Sequence, residues 1–245
     1  MKVVIKPEYE SERIFIEHLP QNFEKRGTTI YDQRNKIKRF DTALGEWIVK
    51  RYKVPNLMQR MVYTFFRKTK AERAYEFADR FRALGISTPP SIAYVEVKER
   101  WLFKTGYLVC GVCNDSDLRK GLRDRTDFDK KLADEFAAFL VRMHEQGILH
   151  GDLNLSNVLY RREGERYRFS VIDINRSRFK SALTKRECLH NLTRLTHRRD
   201  LLEYIVRRYA SIRCWDVEKV LSEEFRLLEK LEMKGKMKEK VRRWK

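Results

Sequence analysis

The stretch His150-Gly151-Asp152-Leu153-Asn154-Leu155-Ser156-Asn157 sets an aspartate and an asparagine five residues apart. A second aspartate, Asp173, stands sixteen residues beyond Asn157, in Val171-Ile172-Asp173-Ile174-Asn175. Phosphoryl transfer from a nucleoside triphosphate needs these side chains. One carboxylate, Asp152, would accept the proton of an acceptor hydroxyl. Asn157 and Asp173 would supply hard oxygen ligands for Mg²⁺ on the phosphates. A lone Asp or Asn in a loop is more often a turn former. Here three signals coincide: Gly147 stops a helix just before the loop, the Asp–Asn spacing is right, and Asp173 ends the next run of β-forming residues.

The surrounding elements must hold those groups. Asp127–Gln146 reads as an amphipathic helix with Phe128, Leu132, Phe136, Phe139, Leu140 and Met143 on one stripe. After the loop, Val158–Tyr160 and Phe169–Ile172 read as strands joined by a charged turn around Gly164. Upstream, residues 28–54 read as strands and turns, and Ile48-Val49-Lys50 puts a lysine where a phosphate clamp would stand. Lys53 is the nearby competitor. Residues 68–84 read as a helix stopped by Gly85, with Ala71, Ala74, Phe77, Ala78, Phe81 and Leu84 recurring at three and four. Glu76, beside Phe77-Ala78, is the expected carboxylate partner of Lys50. Glu72, one turn earlier on the same face, is the alternative. Strands are expected at Ile92–Val97 and Trp101–Cys110, with Lys98-Glu99-Arg100 as the turn. From about 185 onward the chain reads as helical and basic. This order predicts an α+β, two-lobed architecture: a small β-rich N-lobe over 1–112 and a mainly helical C-lobe over 113–245, with a cleft between them.

Composition narrows the partners. A chain of 245 residues with 42% hydrophobic content can build a core and is not a disordered protein. No run approaches a transmembrane helix, and Met1–Pro7 lacks the apolar core of a signal peptide, so a cytoplasmic protein is expected. Lys and Arg number 54 against 35 Asp and Glu, a net +19, which calls for an anionic partner. Cys110 and Cys113 form a C-x-x-C without a second close pair, so they read as small side chains ending a strand rather than a zinc or redox site.

Some expected features are missing. No G-x-G-x-x-G exists, and Gly27 and Gly45 are the only glycines before Lys50. A hairpin near residues 30–40 would have to cover nucleotide with ordinary backbone. Asp173 is not followed by Phe-Gly, there is no Ala-Pro-Glu, and Asn175–Glu187 is too short for a long activation loop. A conventional protein kinase is therefore disfavoured.

At Trp47–Tyr52, Lys70-Ala71-Glu72-Arg73-Ala74-Tyr75-Glu76, Leu84-Gly85-Ile86-Ser87-Thr88-Pro89, His150–Asn157 and Ile172-Asp173-Ile174-Asn175-Arg176, the chain resembles the lipopolysaccharide kinase family. These are the Kdo and heptose kinases of Gram-negative bacteria, within the protein-kinase-like group that includes the RIO kinases. The resemblance implies a protein-kinase-like fold and ATP- and Mg²⁺-dependent phosphorylation of a sugar, Kdo or heptose, in the lipid A–core region. It implies a peripheral position at the inner face of the cytoplasmic membrane. It would make Asp152 the base, Asn157 and Asp173 the metal ligands and Lys50 the phosphate clamp. Arg176 and Arg178 follow Asp173 closely and are candidates to bind the carboxylate of a lipid-linked anionic sugar acceptor.

A second expectation concerns the C-terminus. Met233, Met237, Val241 and Trp244 fall at helical spacing among Lys234, Lys236, Lys238, Lys240, Arg242, Arg243 and Lys245, with Gly235 weakening the helix. Such a basic amphipathic tail would lie in an anionic membrane surface.

Two other classes compete. A RIO-like protein kinase or an antibiotic-type phosphotransferase also opens its catalytic loop on His-Gly-Asp, but the basic chain disfavours cationic substrates. A non-catalytic nucleic-acid module would leave Asp152, Asn157 and Asp173 unexplained, and its basic stretches carry no aromatic platform. No obligatory nucleic acid is expected.

Overall fold

The computed structural model describes residues 1–243, with side chains through Met237. Side chains from Lys238 on, including Val241 and Trp244 of the expected tail, lie outside the described residues. The chain divides into two compact units, Met1–Asn114 and Asp115–Lys245.

The first unit is built on an antiparallel sheet. Its strands are β1 (Lys2–Ile5), β2 (Thr28–Asp32), β3 (Lys36–Thr42), β4 (Gly45–Arg51), β5 (Ser91–Glu99) and β6 (Leu102–Gly111), in the order β1-β5-β6-β4-β3-β2. Period-two alternation sends Phe40, Trp47, Val49, Val95, Tyr107 and Val109 to one face. There they bury against Ile16 of α1 (Arg13–Glu17), Leu19 of α2 (Leu19–Asn22) and Phe23. On the other face Tyr52 and Tyr94 pack on Ala71 of α4 (Lys70–Ala83). Thr69 caps α4 by accepting the Glu72 amide (3.1 Å), and Ala71, Ala74, Ala78 and Phe81 form its buried stripe. A further helix, α3 (Leu57–Phe65), lies against β6.

The second unit opens with β7 (Ser116–Asp117) and α5 (Leu118–Leu122), followed by α6 (Lys130–Glu145). Asp129 caps α6 by accepting the Leu132 amide (3.0 Å), so the helix starts three residues later than expected and Phe128 stays outside it. Leu132, Phe136, Phe139, Leu140 and Met143 form the buried stripe. Next come β8 (Ile148–Leu149), β9 (Val158–Glu163), β10 (Arg166–Val171) and β11 (Arg178–Phe179). The helices α7 (Lys185–Leu192), α8 (Arg199–Ile212) and α9 (Val217–Arg243) complete the unit. The last runs through Gly235 without a break, because tertiary packing of its first half on α7 and α8 outweighs one glycine. Among the described residues no helix is long and apolar enough to cross a membrane.

Two buried ionisable groups in this unit give stability a pH dependence. Burial pushes His144 of α6 down from 6.5 to about 4. Burial pushes Glu224 of α9 up from 4.5 to about 8, and no donor reaches its oxygens among the described residues. The adjacent Thr193 hydroxyl donates to the Leu189 carbonyl (3.0 Å). His144 is neutral when folded, so its stability is present above 6.5 and lost as pH falls towards 4. Glu224 is protonated when folded, so its stability is present below 4.5 and lost as pH rises towards 8. Replacing Glu224 by Gln should therefore stabilise the protein near pH 8 by on the order of 3 kcal/mol, and leave it unchanged near pH 4.5. Urea denaturation at the two pH values checks this, and an equal gain at both would place the effect elsewhere.

Candidate active site

The loop that carries Asp152 is fixed at both ends. It leaves α6 through Gly147 (φ +70°), where a Cβ would sit 1.8 Å from the Lys180 carbonyl oxygen. It then runs along β8, which pairs with β11 through Leu149↔Arg178 and Ile148↔Phe179. That ribbon brings the segment before Asp152 beside the segment after Asp173. Gly151 (φ +27°) passes so close that a Cβ would meet the Arg176 carbonyl oxygen at 2.2 Å. Only glycine fits that crossing.

A second set of bonds joins the two halves through one residue. The Ile172 amide donates to the Asn157 carbonyl (2.9 Å), and the Ile172 carbonyl accepts from His150 Nε2 (2.9 Å). His150 is fully buried, and burial lowers its pKa, so the ring is neutral. A carbonyl only accepts, which puts the ring proton on Nε2. The His150 amide donates to Asn191 Oδ1 (3.3 Å), which also accepts from His144 Nε2 (3.1 Å), and the Tyr209 hydroxyl completes the chain at His144 Nδ1 (2.8 Å). The start of the loop is thus anchored to α6, α7 and α8.

Within that frame, Asn157 sits in a 3₁₀ turn, Leu155–Asn157, capped by Asn154, whose Oδ1 accepts the Ser156 amide (3.0 Å). Asn154 Nδ2 and Asn157 Nδ2 both donate to the Asp152 carbonyl (3.1 and 2.9 Å). With its nitrogen engaged there, Asn157 turns its amide oxygen the other way. Asp173 is in the left-handed region (φ 58°, ψ 38°), directly after β10, and accepts from Asn175 Nδ2 (2.6 Å). An amide oxygen and an oriented carboxylate are the hard donors Mg²⁺ takes, so the residues fit that ion. Arg176 places its guanidinium 3.6 Å from Asp152 Oδ2. Arg178 lies exposed in β11. The structure therefore gathers Asp152, Asn157, Asp173 and Arg176. His150, Asn154, Asn175 and Asn191 support them and were not singled out from the sequence. Asn154 and Asn175 could have been, because each is an amide two residues after an aspartate of the motif.

Lys50 belongs to the first unit, on β4. Its Nζ lies 5.3 Å from the centre of the Tyr52 ring. Its expected partner, Glu76, is bonded to Lys68. Glu72, the alternative, accepts from Lys2 on β1 (3.1 Å) and from the Tyr94 hydroxyl on β5 (3.3 Å). Glu76 is thus tied to the segment just before α4, and Glu72 to β1 and β5. The β2–β3 turn, Gln33-Arg34-Asn35, uses no glycine. It borders an open hollow of about 490 Å³ lined with Arg34, Lys36, Arg51, Lys53 and Lys104. Lys50 is not among the residues that line this basic hollow. Cys110 ends β6 with its thiol 3.6 Å from the Ile48 carbonyl, and burial pushes it up to about 12, which makes it an inert strand residue.

The profile of the lipopolysaccharide kinase (Kdo/WaaP) family matches residues 19–212. The chain belongs to that family. Every candidate site residue from Lys50 to Arg178 lies inside the match. No curated protein is similar enough to count as a relative. Among solved structures, one described as WaaP in complex with acyl carrier protein is similar over 97% of this chain and 99% of its own, with a TM-score of 0.61 and 18% identity. That likeness shows the fold, which is protein-kinase-like: an antiparallel sheet in the N-terminal part and helices in the C-terminal part. This member of the lipopolysaccharide kinase family is a phosphotransferase with an alcohol group as acceptor, acting on the lipopolysaccharide core.

Proposed function

We propose that the protein transfers the γ-phosphoryl group of ATP to a hydroxyl of Kdo or heptose in a lipid-linked acceptor, at the inner face of the cytoplasmic membrane. The observation that carries this is the pair of hydrogen bonds through Ile172, which fixes the Asp152 loop to the Asp173 turn in a chain of this family. Asp152 accepts the proton of the attacking sugar hydroxyl. Asn157 and Asp173 would hold Mg²⁺, and Lys50 would lie against the nucleotide's phosphates. The chemistry supplied there would be positive charge to offset the negative charge of the phosphates. Incubating the purified protein with MgATP and a lipid A–Kdo acceptor should raise the glycolipid mass by one phosphate. No shift on Kdo or heptose acceptors, with transfer to a protein instead, would favour the RIO-like reading.

Arg176 is set apart from the other basic residues by its contact with Asp152. A guanidinium there can take the carboxylate of Kdo in bidentate fashion while staying next to the base. Replacing Arg176 and Arg178 together by Ala should raise the acceptor KM about tenfold and leave ATP affinity unchanged. Steady-state kinetics with each substrate varied in turn checks this. An unchanged acceptor KM would make both arginines structural.

A further inference from the structure

Helix α3 is mounted with its apolar side outward. Its inner side is polar and aromatic: Arg60 Nε donates to the Phe103 carbonyl (2.8 Å), the Thr64 hydroxyl accepts the Phe103 amide (2.9 Å), and Tyr63 stacks edge-on against the Phe103 ring (5.5 Å). These contacts to β6 fix the helix rotation. They leave Leu57, Met58, Met61, Val62, Phe65 and the following Phe66 facing out, with Met58 76% and Phe66 83% exposed. A helix of a water-soluble domain normally buries such a stripe. Beside α3, Arg60 also bonds Glu99 (3.4 Å), which holds the β5–β6 hairpin. The tip of that hairpin presents Trp101, 76% exposed, next to Arg100.

Charge points to the occupant. From Lys53 to Ala71 there is no acidic residue, while Lys53, Arg60, Arg67, Lys68 and Lys70 are basic. The six outward side chains, Leu, Met, Val and Phe, form an exposed apolar ridge along the helix. An exposed apolar ridge with a cationic rim and an exposed tryptophan at its edge matches a bilayer interface carrying anionic headgroups. We propose that α3, with Phe66 and Trp101, is the element by which this protein seats on an anionic lipid surface. The placement extends the reading of a lipid-linked acceptor, but it concerns binding alone. It also assigns the contact to the first unit rather than to the C-terminal tail.

The test is co-sedimentation of the full chain with vesicles of phosphatidylcholine alone or mixed with phosphatidylglycerol, at low and high salt, without nucleotide or sugar acceptor. The unaltered protein should bind the mixed vesicles in a salt-sensitive way. The triple variant Met58→Gln, Phe65→Gln, Phe66→Gln should bind them about tenfold more weakly. Arg67→Gln with Lys68→Gln should reduce binding and flatten its salt dependence. Deleting residues 233–245 should leave most binding in place. All substituted side chains face solvent, with Phe65 and Phe66 also touching each other, so unchanged thermal unfolding and unchanged turnover on a soluble acceptor confirm intact variants. Equal vesicle binding by the triple variant, or none by the unaltered protein, overturns the proposal. So does a triple variant that binds vesicles normally but loses self-association or binding to an acyl carrier protein, which would give the ridge to a protein. Failure of sugar phosphorylation leaves the vesicle result standing, so the two readings fail separately.

Discussion

Replacing Asp152 by Asn should lower turnover by about 10²–10⁴-fold, the range of a lost general base, and leave folding unchanged. The structure explains why the two effects separate. What shapes the loop is the Asp152 carbonyl, which accepts from Asn154 and Asn157, together with the bonds to Ile172. None of these uses the Asp152 carboxylate. Among the described residues the carboxylate's one ion pair is the 3.6 Å approach of Arg176, on a group about a third exposed, and such a pair contributes little to stability. Purified variant and parent should therefore melt alike, while phosphate transfer collapses in kcat rather than in the KM for ATP. Near-normal rates would remove Asp152 from the role. Gly151→Ala is the contrasting case: it leaves the carboxylate in place but drives a Cβ into the Arg176 carbonyl. It should lose both stability and turnover.

Asp173 should show the second large effect, on nucleotide rather than acceptor. Removing a residue that only orients a metal ligand commonly costs 10–100-fold in metal affinity. On the proposed assignment Asn175 would be such a residue, since it donates to Asp173 Oδ1 (2.6 Å). Removing the ligand itself in Asp173→Ala should exceed about 100-fold in MgATP affinity. Asp173→Asn is the cleaner variant, because asparagine tolerates the left-handed backbone found there while the charge is gone. Lys50→Ala should weaken the same step less. Calorimetry with and without Mg²⁺ separates the two: the Asp173 variants should lose the magnesium dependence, the Lys50 variant should keep it. Tight, magnesium-dependent binding by all three would contradict the assignment.

Much of this was legible in the sequence where the signal is local. The α6 stripe, its glycine stop, the Asp152–Asn157 spacing and the strand run before Lys50 depend on neighbours a few residues apart, and periodicity reports such neighbours directly. What escaped depends on distant partners. β1 is a strand only because it pairs with β5, about ninety residues away. The first-unit face covered by α1 and α2 needs Ile16 and Leu19 to meet Trp47 and Val109. Asn191 looks like an ordinary helix residue until it is seen to join His150 to His144. Helix α3 misleads in the opposite sense: its amphipathic pattern is plain, but the pattern cannot say that the polar side is the one held by β6. The bond of Glu76 to Lys68 was not legible either, because long lysines reach carboxylates from either flank.

The bonds through Ile172 also bear on where this fold can change length. Val158 and Val171 face each other at the open end of the β9–β10 hairpin, directly beside Asn157 and Ile172. The base side and the metal side of the motif are thus tied at the root of the hairpin, and the turn at Gly164 lies at its far tip, with open space around the glycine. Residues inserted at that tip would lengthen a surface ribbon without changing the distance between Asp152 and Asp173. The fifteen residues between Asn157 and Asp173 therefore follow from the length of the ribbon, and a shorter or longer tip should leave the same arrangement at its root.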